Sequence, residues 1–162
     1  MREVVTNTSP LLYLHQLGQL ELLRALYSEV LVPTSVVEEL EAGKAGGHDV
    51  PRVNNLPWTK VVSSPTVALL ALAADLGRGE SEAIAIAHER QALLILDDGL
   101  ARRHANLLGI TLTGTLGVLL KAKDSGYISL IAPMVARLTE LGFHLSAQTR
   151  NAVLNLANET IS

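Results

Sequence analysis

The chain has no cysteine among its 162 residues. That removes disulfides, thiolate metal ligands and cysteine nucleophiles from the available chemistry, and it fits a reducing, cytoplasmic setting. Aromatic residues make up 3 %, with one Trp and one Phe, so stacking on bases is a poor source of affinity and the core must be aliphatic. Basic residues do not predominate: 13 Lys and Arg against 16 Asp and Glu leave a formal charge of −3, which argues against the broad basic footprint of non-specific DNA binding but not against a local one. No run approaches the roughly 20 apolar residues of a membrane span, and the opening "MREVVTNTSP" lacks the apolar stretch of a signal peptide, so no membrane association is expected. In a cytoplasmic chain the Asn7-Thr8-Ser9 sequon has no glycosylation role. There is no internal repeat, low-complexity tract or linker, and the length suits one domain over 1–162.

What is present is an alternation of short apolar runs with helical segments. "EVVT" (3–6) reads as a strand leading to a helix with Ser9 as N-cap and Pro10 in its first turn, continuing through "LLYLHQLGQLELLRALY". "EVLV" (29–32) is a second strand, followed by the helix "PTSVVEELEAGKAGG", where Ser35 and Glu38 have capping-box spacing. The Gly-, Pro- and Asn-rich stretch 45–57 is the longest irregular connection. "TKVVSS" is a third strand, and "PTVALLALAADLG" is helical. "ALLIL" (92–96) is apolar without alternation, the pattern of a parallel strand covered on both faces. "GLARRHANLLG" is a helix stopped by Gly109, "ITLTG" a fifth strand, and the remainder three helices broken at "DSGY" and "GFHLS". This order predicts a three-layer α/β/α sandwich with a mostly parallel central sheet.

In such sheets ligands gather beyond the carboxyl ends of the strands. Asn7 follows the first strand, and Asp97 and Asp98 follow "ALLIL". Glu80 and Glu82 open the helix feeding that strand, and Glu39 lies in the helix after strand two. Each has a structural alternative: helix-dipole partners for Glu80 and Glu82, an N-cap for Asp98 and a turn residue for Asn7. Glu38 has its capping role, which leaves Glu39 without one. Glu80 and Glu82 point nearly opposite ways on a helix, and Glu80 is favoured because Gly79 leaves room for an ion or phosphate. Oxygen donors without Cys or clustered His suit Mg²⁺ or Mn²⁺, whose charge offsets the repulsion among the acids. His15, His48, His88, His104 and His144 lack zinc-motif spacing.

The segments "NTSPLLYL", "VPTSVVEEL", "LGRGESEAIAIA" and "LLILDDGLARRHA", in this order, resemble the PIN-domain ribonucleases, in particular a VapC-like branch. "TLTGTLGVLLKAKDSGYI" and "GFHLS" extend the likeness over almost the whole chain. The resemblance implies metal-dependent cleavage of RNA, often as the toxin of a toxin–antitoxin pair, and hence a small antitoxin partner. It places the family's acids at Asn7, Glu39, Glu80 and Asp98, with Asp97 adjacent. On this basis Glu39, Glu80, Asp97 and Asp98 are the expected metal ligands, and Asn7 departs from the usual Asp. Thr8, Ser9, Glu82 and Thr115 are auxiliary candidates. Arg78, Arg102 and Arg103, with His104, are candidates for the RNA backbone or for a solvated helix face. The aliphatic "LIAPMVARL" and "AVLNLA" exceed what a small sheet needs, and the resembled family commonly pairs, so a homodimer is expected. Two other readings stand beside this one. A catalytically inactive PIN-like binding module is kept open by Asn7. A receiver-like phosphoacceptor module requires an acidic pair after the first strand that "VVTNTSP" lacks.

Overall fold

In the computed structural model, which describes residues 2–64 and 76–159, five parallel strands form one sheet in the order β3-β2-β1-β4-β5. They are β1 (Val4–Thr6), β2 (Val30–Pro33), β3 (Thr59–Val62), β4 (Leu93–Ile95) and β5 (Leu112–Thr113). Register is set by pairs such as Val5 with Leu31, Thr6 with Ile95, and Ile95 with Thr113. Successive strand residues point to opposite faces. Val4, Val30, Val32 and Ile95 therefore enter one apolar cluster and Val5, Leu31, Leu94 and Leu96 the other.

Two apolar faces require two covering layers. On the first face lie α1 (Thr8–Gln16), α2 (Glu21–Tyr27), α3 (Thr34–Ala45), α6 (Thr115–Asp124), α7 (Ala132–Glu140) and α8 (Ala147–Leu156). On the second lie α4 (Arg78–Arg90) and α5 (Gly99–Leu107). The expected three-layer α/β/α architecture is thus the observed one. α4 runs buried from Ser81 to Ala87, because its alternating Ala side chains let it sit close to the sheet on one side and to α3 on the other. The helix expected over 65–75 lies outside the described residues.

Three local readings are corrected. The segment 11–27 is two helices: Gly18, at φ +71°, takes the left-handed conformation open to glycine, and the bonds Gly18 N to His15 O and Gln19 N to Leu14 O close a Schellman motif. α1 begins at Thr8 with Asn7 in the N-cap position, so Ser9 lies in the first turn instead of capping it. Pro10 is still accommodated, since first-turn N–H groups have no intrahelical acceptor. The Ser35–Glu38 capping box does not form either: α3 starts at Thr34 and its first turn is capped from α4, as described below.

Much of the aliphatic content of the two C-terminal segments from which a homodimer was expected packs internally, while Leu130 and Leu156 stay exposed. Ile131, Val135, Leu138, Val153, Leu154 and Ala157 belong to the chain's own core. The segment after α8 is fastened by Glu159, whose carboxylate accepts from the Ile131 and Ala132 N–H groups at the start of α7 and from Lys123 Nζ at 2.8 Å. Burial alone would raise the Glu159 carboxyl, but the Lys123 ammonium and the two N–H donors outweigh it and hold its pKa below the ordinary value. A depressed folded pKa contributes stability that is complete above the unfolded pKa and is lost as pH falls through the folded one. Glu159→Gln is therefore expected to lower Tm at pH 7 and to flatten its decline on acidification below the ordinary glutamate range. Thermal melts of both proteins across pH 3–7 check this; parallel curves would remove the clasp as a pH-linked element.

Candidate active site

The strand order reverses between β1 and β4: β2 and β3 extend from one side of β1, while β4 and β5 lie on the other. In an open parallel sheet this switch opens a crevice at the carboxyl ends of the two strands, where the following connections diverge. Asn7 leaves β1 there, and Asp97 and Asp98 leave β4 two and three residues past its last strand position. The Asn7 N–H donates to Ile95 O at 3.0 Å and stitches the two exits together. Asn7 is 4 % exposed, and its Oδ1 has no hydrogen-bond partner. A buried amide oxygen without a donor costs about 1–3 kcal/mol, so it marks a place where a ligand has something to offer.

Glu80 sits in the first turn of α4 and reaches back to the N–H of Gly77, the N-cap residue. Its carboxyl is raised above the ordinary value by burial, then by the nearby Asp98 charge, then by Glu39, against the lowering effect of the Gly77 N–H. The Glu80 and Asp98 carboxylates also lie within hydrogen-bonding reach of one another, so a proton shared between them favours the protonated form of Glu80. Asp98 caps α5, accepting from Ala101 N at 3.0 Å, so its capping and cluster roles coexist. Glu39, exposed on α3, accepts from Thr8 Oγ1 at 2.5 Å and from Gly79 N at 3.0 Å. These two bonds join the starts of α1 and α4 through a single carboxylate.

The space at Gly79, expected to admit an ion or phosphate, is filled by that carboxylate. A Cβ at position 79 would lie 2.5 Å from Glu39 Oε1 and 2.9 Å from its Cδ. Because the obstacle is the far end of a flexible side chain, Gly79→Ala is expected to leave stability unchanged or raise it by up to about 1 kcal/mol of helix propensity, while displacing Glu39. Melting and RNA cleavage measured together check the opposite signs, and intact cleavage would remove Glu39 from the working site.

The other acids have structural partners. Glu82 is 4 % exposed, and its Oε1 accepts from Ser35 N at 2.8 Å and Thr34 Oγ1 at 2.9 Å, capping α3 from α4. Asp97 places Oδ1 on Thr115 N at 2.8 Å and Oδ2 on Thr115 Oγ1 at 2.6 Å, capping α6. Burial pushes the Asp97 carboxyl up, and the Thr115 bonds and the Arg102 charge pull against it. Arg102 donates to Leu96 O at 2.6 Å. Arg78 and Arg103 are exposed, Arg78 lying 3.8 Å from Glu38. His104 is half-buried on α5 and Ser9 half-buried on α1. Among the described residues no three carboxylates or imidazoles stand at a spacing that holds a metal ion. The structure thus brings Glu80 to Asp98 and Glu39, places Asn7 at the same sheet edge, and turns Glu82, Asp97 and Thr115 to bracing.

Sequence reasoning missed two things here. One is Gly114, where a Cβ would lie 2.8 Å from Asp97 Oδ1 and 3.1 Å from Arg102. The other is the Phe143–Thr149 segment, which shares a groove with Asp97. The "LTGTLG" glycines were the available signal for the first.

Among the described residues no helix is long and apolar enough to cross a membrane. No curated protein matches the chain. The family model DUF3368, a PIN domain, matches residues 3–159, nearly the full length and all of the crevice just described. The chain therefore belongs to the PIN-domain family, whose members are generally nucleases.

Proposed function

We propose that the chain is a divalent-metal-dependent endoribonuclease whose working groups are Glu80, Asp98, Glu39 and Asn7. The observation that carries the reading is the convergence of Glu80, Asp98 and Glu39 with the orphaned Asn7 Oδ1 at the crevice where β1 and β4 diverge, close enough that the neighbouring acids raise the Glu80 carboxyl. Carboxylates held against one another favour a bound cation or proton. The orphaned Asn7 Oδ1 is a neutral oxygen donor at the same edge. The donor set is all oxygen and fits Mg²⁺ or Mn²⁺ in kind. The spacing of these acids without an ion is too wide to hold one, so Glu80, Asp98, Glu39 and the Asn7 carbonyl would have to draw in around it; once bound it would supply an activated hydroxide and charge stabilisation for the scissile phosphate.

The chain's own residues have separable tasks. Glu80, whose carboxyl is raised by burial and by the neighbouring acids, orients or deprotonates the attacking water. Asp98 fixes Glu80 and is itself fixed by the Ala101 N–H. Thr8 and the Gly79 N–H aim Glu39. Asp97, with both oxygens on Thr115, is assigned to positioning the β4 exit and not to the ligand set. Arg78 and Arg103, both exposed, meet the RNA backbone as point charges.

The test is cleavage of single-stranded RNA in Mn²⁺, with EDTA as control. Expected is endonucleolytic cutting abolished by EDTA; RNA binding without cutting in any metal would instead establish a binding module, the reading Asn7 favours. A toxin role with a small antitoxin, and pairing with a second copy, are part of the same proposal and rest on the family resemblance alone. Growth arrest on expression, relieved by the neighbouring small open reading frame, reads the first. Light scattering at micromolar concentration reads the second.

A further inference from the structure

We propose that the groove between β5 and the α7–α8 connection is a subsite for one unstacked nucleoside of single-stranded RNA, beside the scissile phosphate. This rests on the nuclease reading and adds where the strand goes on leaving the carboxylates. The groove holds about 610 Å³, inside the range of roughly 300–1,000 Å³ that accommodates small ligands. Asp97 forms part of its wall and is followed directly by Asp98, so the groove begins where the carboxylate cluster ends.

The lining suits a base joined to a sugar-phosphate. Phe143, Leu116 and Leu145 supply apolar surface, and Arg102, His144 and Thr149 supply polar groups. The Phe143 ring is fixed edge-on against Tyr13, with centroids 5.1 Å apart at 81°, so it presents a rigid surface whose entropy is already lost. Scarcity of aromatics elsewhere makes this one placement informative. Gly114 also lines the groove, and its missing Cβ is what lets Arg102 lie against Leu96 O with its guanidinium in the wall. Base recognition in RNA takes place on splayed single strands, by stacking and edge contacts, because the A-form major groove is closed to side chains. A single pocket of this size takes one such base and excludes a duplex.

The test is titration of the wild-type chain with a single-stranded RNA octamer, in Ca²⁺ to hold off cleavage, followed by amide NMR and by affinity. Shifts concentrated at Gly114, Gly117 and residues 144–149 are expected, with none from the matching duplex. Thr149→Trp, which fills the groove from the exposed first turn of α8 while keeping its N–H on Ser146 Oγ, should raise Kd at least tenfold. Gln148→Trp, on the same helix but outside the groove lining, should leave it within twofold. Phe143→Leu is the second variant: it keeps apolar volume, removes the ring and should raise Kd several-fold. Octamer shifts that avoid these amides, or Thr149→Trp binding as tightly as wild type, overturn the subsite. So do equal shifts from the duplex. Cleavage by the wild type in Mn²⁺ is scored separately: cutting without groove shifts overturns the subsite and leaves the nuclease reading, whereas groove shifts without cutting support the subsite as a binding site and overturn the nuclease reading.

Discussion

Glu80→Gln is expected to lower metal-dependent RNA cleavage by about 10²–10⁴-fold, the span associated with removing a positioned acid–base group, while raising the stability of the fold at neutral pH. Both effects have one cause. Burial and the charges of Asp98 and Glu39 lift the Glu80 carboxyl, so in the interval between the unfolded and the raised folded pKa the native state holds more protons than the unfolded chain. Stability therefore falls as pH rises through that interval. Glutamine keeps the shape, removes the charge, and should abolish that fall. A thermal melt at pH 7 with a lower Tm for the variant would contradict the electrostatic account.

Asn7→Asp supplies the complementary test. If Asn7 Oδ1 faces the bound ion, the substitution adds a charged ligand and raises cleavage or lowers the Mn²⁺ concentration required, and Glu80→Gln in the same background removes the gain. Such non-additivity is the signature of two groups sharing one partner. Unchanged cleavage and metal demand would mean that position 7 does not face the ion, and the orphaned carbonyl would need another explanation.

The second large effect concerns the fold that holds the site. Glu82→Ala is expected to cost roughly 3 kcal/mol, as it leaves the buried Ser35 N–H and the half-buried Thr34 hydroxyl without their acceptor and empties the space of a buried side chain. For a chain of this size that corresponds to a fall in Tm of roughly 6–12 °C. Glu82→Gln keeps an acceptor oxygen at the same distance and should cost less than half as much. Because α3 carries Glu39 and α4 carries Glu80, the same bond sets the spacing between two working carboxylates, so Glu82→Ala should also raise the Mn²⁺ requirement of whatever protein remains folded. Equal melting temperatures for all three proteins would exclude Glu82 as the cap of α3.

The order of strands and helices, the apolar continuity of "ALLIL" and the family likeness were legible in the sequence because they depend on local periodicity and on residue order. Short continuous apolar runs and the glycine and proline punctuation between them act over a few residues, and the sheet follows from them once both faces must be covered. What the acids do was not legible in the same way. Glu80 and Glu82 are two positions apart and differ in role because Glu82 meets Ser35, 47 residues earlier, while Glu80 faces Asp98. Asp97 and Asp98 are adjacent, yet one caps α6 through Thr115, 18 residues on, and the other caps its own helix beside Glu80. The room at Gly79 was visible, but its occupant, Glu39, comes from a helix 40 residues away. Helical spacing fixes the direction a side chain leaves its own element and carries no information about which distant element will meet it. Only the tertiary arrangement decided which carboxylates are spent on helix N-termini and which stay against one another in the crevice, because that depends on how α3, α4 and α6 dock on the sheet.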